Sequence, residues 1–197
     1  MNKYYHPIDL IQDMIIDYKQ DPIFEFSIYK PILYKTNKGQ RTIINICGTK
    51  LTSVYLNETS NIIQDTKIFK ECDLTINSKV ILNDKLFHIP LIDFKGKLTL
   101  EKVSILKNVL DKKYSDNLYL FNSGNSLHGY IPILISEEEW IKFMGSLLLL
   151  NYKYKEPISD TRWIGHRLIS GYSALRWTSN DKKYKHSPIG IGWLKDM

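Results

Sequence analysis

The chain has 197 residues, 43% of them hydrophobic and 24% charged, with a net charge of +6. That length and balance predict a globular core in one domain or two closely packed lobes, and exclude a low-complexity chain. No apolar run approaches the roughly 20 residues that span a bilayer, the N-terminus lacks an apolar signal core, and Cys47 and Cys72 are too few for a disulfide framework, so a cytoplasmic protein with reduced thiols and no membrane association is expected.

The pattern from Ile8 to Gln20 predicts an amphipathic helix. Ile8, Ile11, Ile15 and Tyr18 recur at helical spacing, Pro7 suits the first position, and Asp21-Pro22 ends the run. Ile23 to Tyr34 and Arg41 to Cys47 read as strands joined by a turn at Asn37-Lys38-Gly39. Asn57 to Asp65 is polar and turn-like. Lys67 to Asn83 reads as further strand, and Asn83-Asp84-Lys85 as a tight turn into a buried strand from Leu86 to Phe94. The next helix, Leu100 to Lys112, carries Leu100, Val103, Leu106 and Leu110 on one face, with Thr99 as its N-cap. Asn117 to Phe121 and Leu127 to Leu134 are strands around a Ser-Gly-Asn-Ser turn. Ser136 and Glu139 form a capping-box pattern opening a helix whose inner face is Trp140, Phe143, Met144, Leu147 and Leu148. Strands alternating with helices predict an α/β or α+β fold, with an antiparallel pair flanking residues 122–126. Residues 1–84 form a small β-rich N-terminal lobe in this reading, and residues 85–197 a lobe that carries the chemistry. No internal repeat is present.

The charge is unevenly distributed. Residues 151–197 hold nine Lys/Arg against four acids, while residues 1–150 are nearly balanced. A basic C-terminal quarter favours a polyanionic partner: nucleic acid, nucleotide phosphates or an acidic protein. A solvated basic face would carry the same signature.

Three remote segments hold the residues suited to chemistry. Asp93 ends the apolar run Ile89-Pro90-Leu91-Ile92; a carboxylate there is paired, metal-bound or solvated at a cleft, or else caps the following turn. Ser126 and His128 share one face of a strand, since side chains alternate with period two. A hydroxyl and an imidazole so placed can hold a phosphate, and Gly124 allows close backbone approach. A hairpin turn beside a core histidine is the simpler alternative. Asp160 opens Asp160-Thr161-Arg162-Trp163 and suits a helix N-cap as well as a ligand set. Arg176 beside Trp177, with Lys182, Lys183 and Tyr184 nearby, suits stacking and phosphate contacts on nucleic acid. A phosphate-binding Gly-x-x-x-x-Gly-Lys loop, a His-Glu-x-x-His zinc motif, Cys-x-x-Cys and Gly-x-Ser-x-Gly are all absent.

Taken together, Ile92-Asp93-Phe94, Ser123-Gly124-Asn125-Ser126-Leu127-His128 and Ile158-Ser159-Asp160 resemble, in order and spacing, the catalytic core of the archaeo-eukaryotic primase superfamily. Asp160 to Arg167, Gly171-Tyr172 and Leu175-Arg176-Trp177 look like a small bacterial primase-like group that keeps one aspartate in the first motif. The resemblance covers about residues 86–188. It implies a primase-like core of an RRM-like sheet with helices, beside the β-rich N-terminal lobe. It implies catalytic roles for Asp93, His128 and Asp160, with Asp93 and Asp160 binding Mg²⁺ or Mn²⁺. Ser123, Ser126, His128, Lys95, Arg162, Arg167, Arg176 and Lys182 would bind nucleotide or nucleic acid. One position departs from the pattern. Active members have Asp-x-Asp in the first motif, whereas this chain has Asp93-Phe94-Lys95, a cation where a carboxylate helps clamp two metal ions. Strand alternation predicts that Lys95 points inward beside Asp93. Two functions follow from the resemblance: a residual metal-dependent nucleotidyltransferase making DNA or RNA primers, or a catalytically inactive subunit. The inactive subunit would bind nucleic acid or a protein partner in a larger nucleic-acid-processing or defence complex. A protein–protein adaptor with a coincidental motif is the third reading.

Overall fold

The computed structural model describes residues 3–29, 41–51, 72–153, 155–180 and 185–197. The expected turn at Asn37-Lys38-Gly39, the polar stretch Asn57 to Asp65, and Lys182 lie outside them. Helix α1 spans Pro7–Ile15. Its N-cap is His6, whose ring nitrogen accepts from the Ile8 amide at 3.2 Å while the Asp9 carboxylate returns to the His6 amide at 2.9 Å. The helix stops short of Gln20 because its apolar face ends: Ile16 and Asp17 are exposed.

Two antiparallel sheets follow. The first has the order β2-β1-β3-β4, with β8 also on β3, from β1 (Ile23–Tyr29), β2 (Arg41–Cys47), β3 (Asp73–Leu82), β4 (Lys85–His88) and β8 (Ala174–Arg176). Asn83 and Asp84, both at positive φ (53° and 57°), make the tight β3–β4 turn. The second sheet has the order β5-β7-β6-β9, from β5 (Leu91–Asp93), β6 (Tyr119–Asn122), β7 (Leu127–Tyr130) and β9 (Ile189–Trp193). The expected single strand from Leu86 to Phe94 is therefore two strands in different sheets, broken at Ile89-Pro90, where proline offers no N–H to a ladder. The first sheet is not confined to the N-terminal 84 residues, since β4 and β8 complete one edge of β3.

Helix α2 spans Leu100–Val109 and is capped by Thr99, followed by the single-turn α3 (Lys112–Ser115). Helix α4 (Glu137–Leu149) opens on the expected capping box, and α5 (Thr161–Ser170) begins after Asp160 and ends on Gly171 at φ 74°. Leu100 and Leu148, expected to be buried, are exposed, because each sits at the margin of its helix's apolar stripe. The second sheet lies between two cores. On one side Leu91, Tyr119, Phe121 and Tyr130 join Phe24, Phe26 and Ile76 of the first sheet. On the other, Ile92, Phe94, Leu118 and Leu120 meet Leu106, Trp140, Phe143 and Ile164 of the helices. Among the described residues no helix is long and apolar enough to cross a membrane.

Candidate nucleotide-binding cleft

Strand register assembles one wall of a cleft from the second sheet. In β5, Leu91 and Asp93 share a face; in β7, His128 and Tyr130 share a face. Antiparallel pairing sets Leu91 opposite Tyr130 and Asp93 opposite His128. Leu91 and Tyr130 are sealed in the inter-sheet core, so Asp93 and His128 stand one step along the same face, where the sheets part. Directly opposed side chains have Cβ atoms about 5 Å apart. The turn above them is closed by Ser123, whose amide donates to the Ser126 carbonyl at 2.9 Å and whose hydroxyl lies 3.2 Å from that of Ser126. Gly124, at φ 99°, lets this turn lie against the backbone of Lys185 and His186; a Cβ would sit 3.2 Å from the Lys185 amide nitrogen.

The opposite wall comes from the polar face of the first sheet, again by register. Arg41, Tyr29 and Asp73 form one cross-strand row, and Ser27, Thr75 and Arg176 the next. The Arg41 guanidinium lies 4.2 Å from the centre of the Tyr29 ring and donates to the Ser27 and Thr75 hydroxyls at 2.7 and 3.2 Å. Asn77 extends the network, accepting from Ser27 at 3.0 Å and donating to Glu25 at 2.8 Å. Helix α5 closes the third side with Trp163, His166 and Arg167. The enclosed space is about 260 Å³ and is lined from both sheets, by Arg41, Arg167 and Arg176 together with Asp93, Ser126 and His128.

The electrostatics of this space are unusual for a protein interior. Burial and the neighbouring Asp160 charge push the Asp93 carboxyl up to about 7, against the pull of Arg176 and Arg167. Burial, reinforced by Arg176, holds His128 down at about 3, so its ring is neutral at physiological pH and is suited to hydrogen bonding rather than to supplying charge. Its Nδ1 is buried without a hydrogen-bond partner. Arg167 is brought down to about 10 by burial and then by Arg41. Its Nε and one terminal nitrogen are likewise buried and unpartnered. Burial also lowers Arg41.

Of the residues singled out in the sequence, Asp93, Ser123, Ser126, His128, Arg167 and Arg176 line this one cleft. Asp160 adjoins it: its amide donates to the Asp93 carbonyl at 3.2 Å. Its carboxylate accepts from the Arg162 and Trp163 amides at 2.9 and 3.1 Å and thereby caps α5. Arg176 is buried and donates to the carbonyls of Ser123 and Thr178 and, at 3.4 Å, of His186. It ties the β6–β7 turn to the segment after β8. Lys95 and Arg162 are exposed and do not line the cleft. The inward direction expected for Lys95 fails because β5 ends at Asp93. Beyond it the chain bonds to the segment before α5, Lys95 donating its amide to the Ile158 carbonyl at 2.9 Å. Tyr29, Arg41, Thr75 and His166 line the cleft but were not singled out from the sequence. The available signal was polar residues alternating through β1 and β3, which marks a polar sheet face without saying what it meets.

The donor set does not fit a two-ion clamp. Among the described residues no group of three His, Cys, Asp or Glu side chains could hold a metal ion. Asp160 caps α5 through one carboxylate oxygen, Asp93 has its proton affinity raised, and three guanidinium groups outnumber the Asp73 and Asp93 carboxylates that line the space. Such a space suits an anion.

Residues 53–189, more than two thirds of the chain, match the AEP-like family model, described as archaeo-eukaryotic primase 1D-like. No curated protein and no solved structure matches the chain. Asp93, Ser126, His128, Asp160, Arg167 and Arg176 fall inside the matched span; Tyr29 and Arg41 fall outside it.

Proposed function

The chain belongs to the archaeo-eukaryotic primase 1D-like family, and from that premise we propose that it binds the phosphates of a nucleotide or nucleic acid strand in the cleft between its two sheets. In this reading the β5-β7-β6-β9 sheet with its helices is the counterpart of the superfamily's RRM-like sheet, and the chain falls in the group with one aspartate in the first motif. The observation that carries the proposal is the Asp93–His128 cross-strand pair, set in a cleft with three arginines and with a buried His128 nitrogen that lacks a partner. Ser126 and the neutral His128 ring hydrogen-bond the ligand, and Arg176 holds the Ser123–Ser126 turn in place. The protein acts as a binding subunit of a nucleic-acid-processing or defence assembly.

A binding assay tests this. Fluorescently labelled ATP and a labelled single-stranded oligonucleotide are titrated with the protein between 50 and 300 mM salt. Affinity is expected to fall with salt, as for any phosphate ligand, and to weaken about tenfold or more in His128→Ala, the scale of one hydrogen bond to a charged group. Binding indifferent to both salt and His128 would remove the proposal.

The adjacency of Asp160 and Asp93 favours a second reading, a residual metal-dependent nucleotidyltransferase. Incorporation of labelled nucleotide with Mg²⁺ or Mn²⁺, abolished by Asp93→Ala, would establish it over the binding-only reading.

A further inference from the structure

We propose that the N-terminal β1–β2 hairpin completes a second anion subsite in this cleft, formed by Arg41 and Arg167 against the rings of Tyr29 and Tyr172, and that it takes a phosphate dianion. The inference rests on the cleft being a phosphate site; it adds a separate subsite built partly by residues outside the family-matched span.

Four observations support it. Arg41 and Arg167 make no ion pair with any described residue. The Arg41 guanidinium is held by hydroxyl acceptors only, Ser27 and Thr75, and rests on Tyr29. Arg167 lies 5.8 Å from the centre of the Tyr172 ring and keeps two buried nitrogens without acceptors. The two cations also repel: Arg41 adds to the burial that weakens proton binding at Arg167. The carboxylates in reach do not resolve this. Asp93 is itself pushed toward neutrality, and Asp73 accepts from the Thr178 hydroxyl and the Asn180 amide with one oxygen, while its other, buried oxygen bonds to neither guanidinium.

Buried charges in native proteins are normally paired, because desolvating an uncompensated ion is expensive. Two adjacent guanidinium groups, each already fixed over an aromatic face, match a group with two negative charges and several acceptor oxygens. A phosphate monoester or free phosphate carries about −1.5 to −2 near neutral pH; an internal phosphodiester carries one charge and fits less well. The source of the dianion is either free phosphate or the terminal phosphate of a nucleotide.

The test uses the full chain, with inorganic phosphate, ATP and dimethyl phosphate at matched ionic strength, by calorimetry and thermal melting. Wild type is expected to bind inorganic phosphate well and dimethyl phosphate at least tenfold more weakly. Arg41→Gln and Arg167→Met are expected to weaken inorganic phosphate about ten- to hundredfold, and by more than His128→Ala does. If ATP displaces phosphate and binds tighter, the natural dianion is a nucleotide's terminal group; if ATP does not compete, it is free phosphate. Arg167→Met makes folding an internal control: without anion it should melt at or above the wild-type temperature, since it removes an unpaired buried cation. Phosphate affinity unchanged in both arginine variants, or dimethyl phosphate binding equally well, overturns the subsite while leaving the cleft reading intact. Wild type binding neither phosphate nor nucleotide overturns both.

Discussion

The two walls of the cleft treat buried polar groups differently. On the first sheet Glu25, Ser27, Thr75, Asn77 and Arg41 form a network in which each side chain has a hydrogen-bond partner, with one buried Asp73 oxygen left outside it. On the second sheet and α5, His128 keeps an unpartnered nitrogen, Arg167 keeps two, and Asp93 is held near neutrality. Satisfied polar groups rigidify a sheet, whereas unsatisfied ones are a standing cost that a ligand can remove. The first wall is therefore scaffold for one projecting guanidinium, and the second is the wall to which the proposed ligand would bind. A third case separates burial from function. His88 is as buried as His128 and is also held low, at about 4, first by burial and then by Lys79. It stacks on Trp140 and lies 2.9 Å from the Ser78 hydroxyl, and its Nε2, like the His128 Nδ1, is buried without a hydrogen-bond partner, but it stands in the core away from the cleft.

The largest effect expected from this contrast is at Asp93. With its folded value near 7 and the ordinary value at 3.8, the folded state binds more protons than the unfolded chain between these limits, so Asp93 costs stability as pH rises through that window. Asp93→Asn should stabilise the protein at pH 8 by of the order of 2–4 kcal/mol, measured by urea unfolding. His128 has the opposite sign: its folded value lies below the ordinary 6.5, so it costs stability as pH falls from 6.5 toward 3. Asp93→Asn should therefore turn a shallow pH profile into one that declines toward acid. An unchanged profile would mean that Asp93 is not confined as described.

Next in size is the satisfied wall. Ser27→Ala strips a hydrogen-bond partner from Thr75, Asn77 and Arg41 at once and should destabilise by about 1–3 kcal/mol. The unsatisfied wall should behave differently. His128→Gln is expected to change stability by less than about 1 kcal/mol while weakening nucleotide binding, because it removes a strained group and not a structural bond. Equal losses at Ser27 and His128 would erase the distinction between the walls. The smallest effect is on affinity. Nucleotide binding without added metal should weaken severalfold between pH 6 and 8 as Asp93 ionises against an incoming anion. Binding that strengthens over that range with Mg²⁺ present would favour a cation between Asp93 and the ligand.

Local chemistry set a good part of the fold. The capping box at Ser136, the N-caps at Thr99 and Asp160 and the Asn83-Asp84 turn depend on contacts within a few residues of sequence, and the structure has each. The order Asp93, Ser126, His128, Asp160 was legible as a motif, although Ser126 lies in the turn before β7 and not on the strand with His128, and the two meet at the cleft nonetheless. Lys95 shows the same limit: alternation holds only while the strand lasts, and β5 stops at Asp93.

What the linear chain could not reveal is pairing between distant strands. Asp93 meets His128, Tyr29 meets Arg41 and Asp73, and Thr75 meets Arg176 only through register between strands far apart in sequence. Register is chosen by the burial of whole faces at once, not by any single residue. The sequence alone determined that an acid, a Ser-x-His pair and a second acid occur in a primase-like order. Only the tertiary structure decided that Arg176 binds backbone and that an arginine from strand β2 stands in the same cleft. Those outcomes follow from desolvation and mutual charge, which exist only once the walls have closed.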